Sequence, residues 1–191
     1  MDPSTFVSSF GLIFVAELGD KTQLTAMALA AKYPWRKVFL GIAAAFVLLN
    51  VAAVTVGKVL FLLVPALWIH AASGLLFLFF GATTLLARGD GGEEGGTATV
   101  SGPILAPFVL ILLAELGDKT QLATASLAAQ RPDPVAVFAG STLALWSVSL
   151  LGILLGRQIT RVVPLWVVHK GAGALFLLFG ALALRQAFLA L

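Results

Sequence analysis

The chain has 191 residues, of which 60% are hydrophobic and 11% are charged, and it contains no cysteine. Soluble domains average roughly 45–50% apolar and about 25% charged residues, so this composition predicts an all-α integral membrane protein built as one helical bundle. The lack of thiols excludes disulfides, thiolate metal sites and redox motifs, and a net charge of +3 is too small to indicate nucleic-acid binding.

Six apolar stretches, most of them close to 20 residues long, follow one another along the chain and predict six transmembrane helices. Between the third and the fourth lies the one clearly polar stretch, which is rich in glycine and typical of a flexible linker outside the bilayer. The chain therefore divides into a three-helix repeat, a linker and a second three-helix repeat, over residues 1–87, 88–102 and 103–191. The predicted spans are residues 6–31, 38–56, 66–87, 104–129, 135–155 and 165–184.

Residues 16–24, in the first span, recur letter for letter as residues 114–122 in the fourth, at an offset of 98. After a one-residue insertion the offset becomes 99, and four glycines of the first half match glycines of the second. Because three spans per half is an odd number, the second half enters the membrane from the opposite side. The halves are therefore predicted to be inverted repeats, whose shared axis brings the first and fourth spans together at mid-depth. The matched glycines are Gly41, Gly57, Gly74 and Gly81 with Gly140, Gly156, Gly173 and Gly180.

The repeated segment places charges in an apolar span, at a cost of about 2.5–3.5 kcal/mol per charged side chain on insertion scales. On a helix, residues three apart share a face, so Glu17 and Asp20 are predicted to point the same way, as are Glu115 and Asp118. The two pairs would offer four carboxylates to one point. Oxygen ligands alone suit a hard cation such as Ca²⁺, Mn²⁺ or Mg²⁺. Neutral oxygens are available from Thr22, Gln23, Thr120 and Gln121.

The charge balance of the two motifs favours an exchanger. Four carboxylates and the ammonium groups of Lys21 and Lys119 leave a net charge of −2, which one divalent cation or two protons would neutralise. The lysines could pair within their own helix with the glutamate four residues earlier and tune its pKa, or they could face another polar group. Both alternatives stay open, as does the choice for Gly19 and Gly117 between close helix approach and a local helix break.

Asn50 and Ser149 occupy matching mid-span positions in the second and fifth spans. Either residue could complete the coordination of a cation at the centre, or it could form a hydrogen bond between helices, as polar residues in spans often do.

The sequence Glu-Leu-Gly-Asp-Lys-Thr, at residues 17–22 and 115–120, resembles the doubled Glu-x-Gly-Asp-(Lys/Arg)-(Thr/Ser) signature of the GDT-type family of small Ca²⁺/Mn²⁺:H⁺ exchangers. The resemblance covers essentially the whole chain and implies antiport of Mn²⁺ or Ca²⁺ against H⁺, with export of metal across a bacterial-type inner membrane. It implies no resident cofactor. By the motif match, the primary site residues would be Glu17, Asp20, Glu115 and Asp118, followed by Lys21, Thr22, Lys119 and Thr120.

Basic residues outside the motifs predict the orientation. Seven lie on the side of the linker and three on the other side, which places the linker in the cytoplasm and both termini outside. The expected partners are the lipid bilayer and a divalent metal ion, without nucleic acid. Gly152 and Gly156 suggest close helix packing, within one protomer or in a homo-oligomer.

Two other classes of function compete with an exchanger. An intramembrane aspartyl protease also places two aspartates on two spans, but the neighbouring Glu and Lys of each motif would perturb a shared-proton dyad. A cation channel, or an exporter of organic cations or amino acids, fits poorly because four carboxylates bind too strongly for fast conduction. The residues show no aromatic cage for an organic cation.

Overall fold

The computed structural model describes residues 1–86, 102–162 and 165–189. Within these ranges the chain is entirely helical, with eight α-helices and no strand. Nearly all of the predicted linker lies outside the described residues. The helices are α1 (Pro3–Glu17), α2 (Lys21–Lys32), α3 (Trp35–Leu63), α4 (Ala66–Leu86), α5 (Leu105–Glu115), α6 (Lys119–Gln130), α7 (Pro134–Val162) and α8 (Leu165–Leu189).

The first and fourth predicted spans are each broken in two at the repeated motif. Gly19 lies between α1 and α2, and Gly117 lies between α5 and α6, with φ angles of +81° and +78°. Glycine adopts this left-handed conformation without the steric penalty that a Cβ atom would impose. The spans predicted over residues 6–31 and 104–129 are therefore not continuous helices, and a local break, one of the two alternatives left open for these glycines, occurs in both.

Caps and prolines set several helix boundaries. The Asp2 side chain accepts hydrogen bonds from the first turn of α1, and Asp133 accepts one from the backbone N–H of Ala136 at the start of α7. Pro65 separates α3 from α4, because a proline disfavours helical backbone in the residue before it. At 29 residues each, α3 and α7 are longer than the spans predicted for them.

Helices α3 and α7 pack against each other, and each supports one broken pair. Helix α3 contacts α5 and α6, while α7 contacts α1 and α2. Gly57, near which the second span was predicted to close, lies inside α3 and packs against α6. A Cβ atom at this position would collide with the carbonyl oxygen of Ala125. Glycine thus lets the two backbones approach closely, as small residues do in membrane helix pairs.

Helices α4 and α8 form the most extensive helix pair of the structure, through reciprocal contacts. A Cβ atom on Gly74 would lie 2.6 Å from Leu184, and one on Gly173 would lie 2.7 Å from Leu85. Because Leu184 matches Leu85 at the offset of 99 residues, the same contact occurs twice. The rings of Phe77 and Phe176, which also match, stack with centroids 6.1 Å apart.

Among the described residues, two helical segments are long and apolar enough to cross a membrane by length and composition, namely Trp35–Leu60 and Pro134–Leu154. The breaks at Gly19 and Gly117 leave shorter pieces where the first and fourth spans were predicted. Shorter apolar helices are Pro3–Glu17, Leu67–Thr83, Leu105–Glu115 and Gly173–Leu189.

Candidate cation site

The two breaks are built in the same way. In the first, the backbone N–H of Asp20 donates to the carbonyl oxygen of Glu17 at 3.1 Å, and in the second Asp118 donates to Glu115 at 3.1 Å. Each glutamate is the last residue of its helix, and each aspartate precedes the first residue of the next helix. The expectation that the two carboxylates share one helix face is therefore wrong, because the helix ends between them.

Three carboxylates from the two halves converge at the breaks. Glu17, Glu115 and Asp118 each present an oxygen, and these oxygens all lie within 4.8 Å of one another. Glu17 and Glu115 are each only 1% exposed. Neither carboxylate oxygen of Glu17 has a hydrogen-bond partner within the described part of the chain. A buried carboxylate in this condition is costly unless a cation or a proton neutralises it, so the cluster fits a hard divalent cation.

The fourth carboxylate of the motifs, Asp20, forms an ion pair across the two halves. The Lys119 ammonium group donates to Asp20 Oδ2. The intrahelical alternative for Lys119 is therefore wrong: Lys119 begins α6, and the break removes the continuous helix that would align it with Glu115. The side chain of Lys21 is not among those that the structure describes, and its predicted role stays a prediction.

The neutral polar residues of the motifs differ in the hydrogen bonds that they form. Thr22 donates its hydroxyl hydrogen to Glu115 and thereby links the two halves a second time. Thr120 is buried, and its hydroxyl has no hydrogen-bond partner among the described residues. The side-chain oxygen of Gln23 accepts from the backbone N–H of Gly19 at 2.8 Å, so it holds the break in place. Gln121 is buried as well.

Asn50 and Ser149 are buried in α3 and α7. The Asn50 amide nitrogen donates to the hydroxyl of Thr142 at 2.9 Å, so the predicted alternative of an interhelical hydrogen bond does occur. The Asn50 carbonyl oxygen and the Ser149 hydroxyl have no hydrogen-bond partner within the described residues. The repeat does not indicate Thr142, because its counterpart in the first half is Ala43, which has no polar side chain.

The backbone at Gly117 provides a test of the break. No atom lies within 4 Å of a Cβ atom built there, so the cost of a substitution arises from the positive φ alone, about 1–2 kcal/mol for an L-residue. We expect Gly117→Val to lower the melting temperature and Gly117→Asn to keep most of it, because asparagine tolerates this conformation. Tryptophan fluorescence during heating of the purified protein measures this effect.

The matched control for this test is Gly11→Ala, since Gly11 is helical and its Cβ would also meet nothing within 4 Å. An unchanged melting temperature for Gly117→Val would show that the chain does not need a left-handed residue at the second break.

Comparison with known proteins connects this sequence to a family. The sequence model described as "Divalent cation/proton antiporter GDT1" matches residues 5–91 and 103–190. A Vibrio cholerae protein named "Putative manganese exporter" is 36% identical over 192 residues, which cover 97% of this chain and 91% of that protein. A GDT1-like protein of Synechocystis sp. is 30% identical over 200 residues, covering 94% of this chain and 96% of the relative. No solved structure matches the chain.

Proposed function

Because this chain belongs to the family of GDT1 divalent cation/proton antiporters, we propose that it exchanges Mn²⁺ or Ca²⁺ for protons across a membrane. Members of this family are transporters and not enzymes, so the aspartyl protease alternative is set aside. The observation that supports the proposal most strongly is the meeting of Glu17, Glu115 and Asp118, whose oxygens lie within 4.8 Å of one another.

The proposed mechanism is competition for the same oxygens. The Asp20 charge is balanced by Lys119, and the remaining three carboxylates with a charged Lys21 leave −2 at the centre. One divalent cation or two protons would neutralise this charge, and the two loads exclude each other because they occupy the same atoms. Protons arriving on one side would release the metal there, and metal binding on the other side would release protons.

The contacts of the helix ends support the inverted arrangement of six membrane crossings. The backbone N–H of Asp2 donates to Asp133 at 2.6 Å, so α1 and α7 begin at the same end of the bundle. Helix α7 follows α6 after three residues, which places the end of α6 there and the start of α5 at the opposite end. We therefore propose that α1–α2 and α5–α6 each make one crossing, in opposite directions, with a break at mid-depth.

We further propose export from the cytoplasm across a bacterial-type inner membrane. The excess of basic residues on the linker side supports a cytoplasmic linker with both termini outside. The name of the Vibrio cholerae relative supports manganese as cargo and export as direction. Self-association through α7 remains a prediction.

Reconstituted vesicles with a pH-sensitive dye inside test the proposed exchange. Addition of Mn²⁺ or Ca²⁺ should drive proton movement in the opposite direction. Lowering the pH on the metal side from about 8 to about 6 should slow the exchange, because protons and metal compete for the same carboxylates. Metal flux without proton flux would favour a channel, and a rate independent of pH would contradict competition.

A further inference from the structure

Asn50 lies at the depth of the break between α5 and α6. Helix α3 contacts the start of α5 through Gly41, which packs against Ile104, and it contacts α6 through Gly57, which packs against Ala125. Helix α3 and the α5–α6 segment thus run side by side in the same direction. Asn50 follows Gly41 by nine residues and precedes Gly57 by seven, so it lies level with the break. Seven residues are about two helical turns, so Asn50 also shares the face on which Gly57 meets α6.

Ser149 holds the equivalent position beside the other break. On α7, Gly140 packs against Phe6 of α1, and a Cβ atom at Gly152 would lie 2.6 Å from the Gln23 side chain of α2. Ser149 precedes Gly152 by three residues, so it lies on the same side of α7 and level with the break between α1 and α2. Helix α3 therefore places Asn50, and helix α7 places Ser149, at the depth of the carboxylates.

Both residues have a side-chain oxygen without a hydrogen-bond partner among the described residues. Asn50 is 0% exposed and Ser149 is 1% exposed, and neither the Asn50 carbonyl oxygen nor the Ser149 hydroxyl has a partner within the described ranges. A buried polar atom without a partner costs about 1–3 kcal/mol, so each such atom in a native protein requires an explanation, such as a bound water or ion. Thr142 accepts from the Asn50 amide nitrogen, which orients the amide and leaves its oxygen for another partner.

We propose that Asn50 supplies a neutral oxygen ligand to the cation held by Glu17, Glu115 and Asp118, and that Thr142 is the positioning residue for its amide. The proposal rests on the proposed function and assigns a residue that determines metal preference. Ser149 offers a hydroxyl on the opposite side. A neutral ligand raises the coordination number without adding charge. Ca²⁺ accepts six to eight oxygens, whereas Mg²⁺ holds its waters, so this ligand favours the larger ion.

The test compares Mn²⁺, Ca²⁺ and Mg²⁺ on reconstituted variants, together with Mn²⁺ binding to the detergent-solubilised protein followed by electron paramagnetic resonance of free Mn²⁺. Asn50→Ala should raise the half-saturating Mn²⁺ concentration about tenfold, which corresponds to about 1.4 kcal/mol, and should weaken the preference over Mg²⁺. Thr142→Val keeps the shape but removes the acceptor, and it should shift both quantities in the same direction by a smaller factor.

Two further variants keep the result interpretable. Ser147→Ala is the matched control, since its hydroxyl donates to the Leu143 carbonyl of its own helix, and it should behave as the wild type. Asn50→Ser repeats the residue of the other half and should fold even if Asn50→Ala does not. It should lie between the alanine variant and the wild type in Mn²⁺ affinity.

The outcomes separate this inference from the proposed function. If Glu17→Gln loses exchange while the Asn50 and Thr142 variants keep wild-type affinity and metal ranking, the inference fails and the carboxylate site stands. If Glu17→Gln exchanges metal like the wild type, the carboxylate site itself is wrong. Reduced Mn²⁺ affinity in Asn50→Ala and Thr142→Val, with Ser147→Ala unchanged, would support the assignment.

Discussion

Replacing Glu17 by Gln is expected to reduce metal-driven proton movement by roughly 100-fold or more. Losing a group outside the first ligand shell already costs about 10–100-fold in metal affinity or activity, and Glu17 is proposed to bind the ion directly. The substitution preserves shape but removes a charge and a proton acceptor from a carboxylate that is 1% exposed. The initial rate of dye response in vesicles measures the effect, and the melting temperature should not fall, because the buried charge is also removed.

Glu115→Gln should have the same consequence, because Glu115 contributes to the cluster from the other half. Glu94→Gln, in the polar stretch between the repeats, is the matched control and should leave exchange unchanged. Normal exchange by either Glu17→Gln or Glu115→Gln would mean that the two halves do not share one site.

The second large effect is expected on stability when the ion pair between Asp20 and Lys119 is broken. Removing one partner of a buried pair typically costs about 3–5 kcal/mol, because the other charge stays buried. These side chains are 21% and 27% exposed, so we expect Asp20→Asn to cost about 2–3 kcal/mol, or roughly 5–10 °C in melting temperature. Thermal unfolding of the purified protein measures this loss.

The double variant Asp20→Asn with Lys119→Met tests the pairing itself. Because it removes both charges, it should recover most of the melting temperature that the single variant loses, while exchange stays impaired. Lys37→Met, at an exposed position of α3, is the control for loss of a lysine. If the losses of Asp20→Asn and Lys119→Met, each measured alone, add up to the loss of the double variant, the two charges are not energetically coupled.

The internal repeat allowed two features of the structure to be predicted from the sequence. The identical motifs at an offset of 98 residues predicted that Glu17 would face acidic residues of the second half, and the structure brings Glu17 close to Glu115 and Asp118. The matched glycines predicted a repeat, and Gly74 and Gly173 make matching contacts between α4 and α8. Both inferences depend on symmetry, which a single sequence reveals directly.

What the sequence could not predict depends on contacts between the halves. A glycine in an apolar helix is compatible with a continuous helix or with a break, and the positive φ of Gly19 and Gly117 decides for the break. Lys119 pairs with Asp20 because the two breaks lie at the same depth. The spacing of residues within one motif could not predict this contact between the halves. Thr142 has an alanine as its counterpart, so the repeat could not indicate its bond to Asn50.

The central claim, that one cation is held jointly by the two halves, is tested most directly by diffraction from crystals grown with Mn²⁺, recorded at a wavelength where manganese scatters anomalously. The predicted result is one strong anomalous peak between Glu17 of the first half and Glu115 and Asp118 of the second, at oxygen-ligand distances. A peak bound by residues of one half only, or located away from both breaks, would contradict the claim.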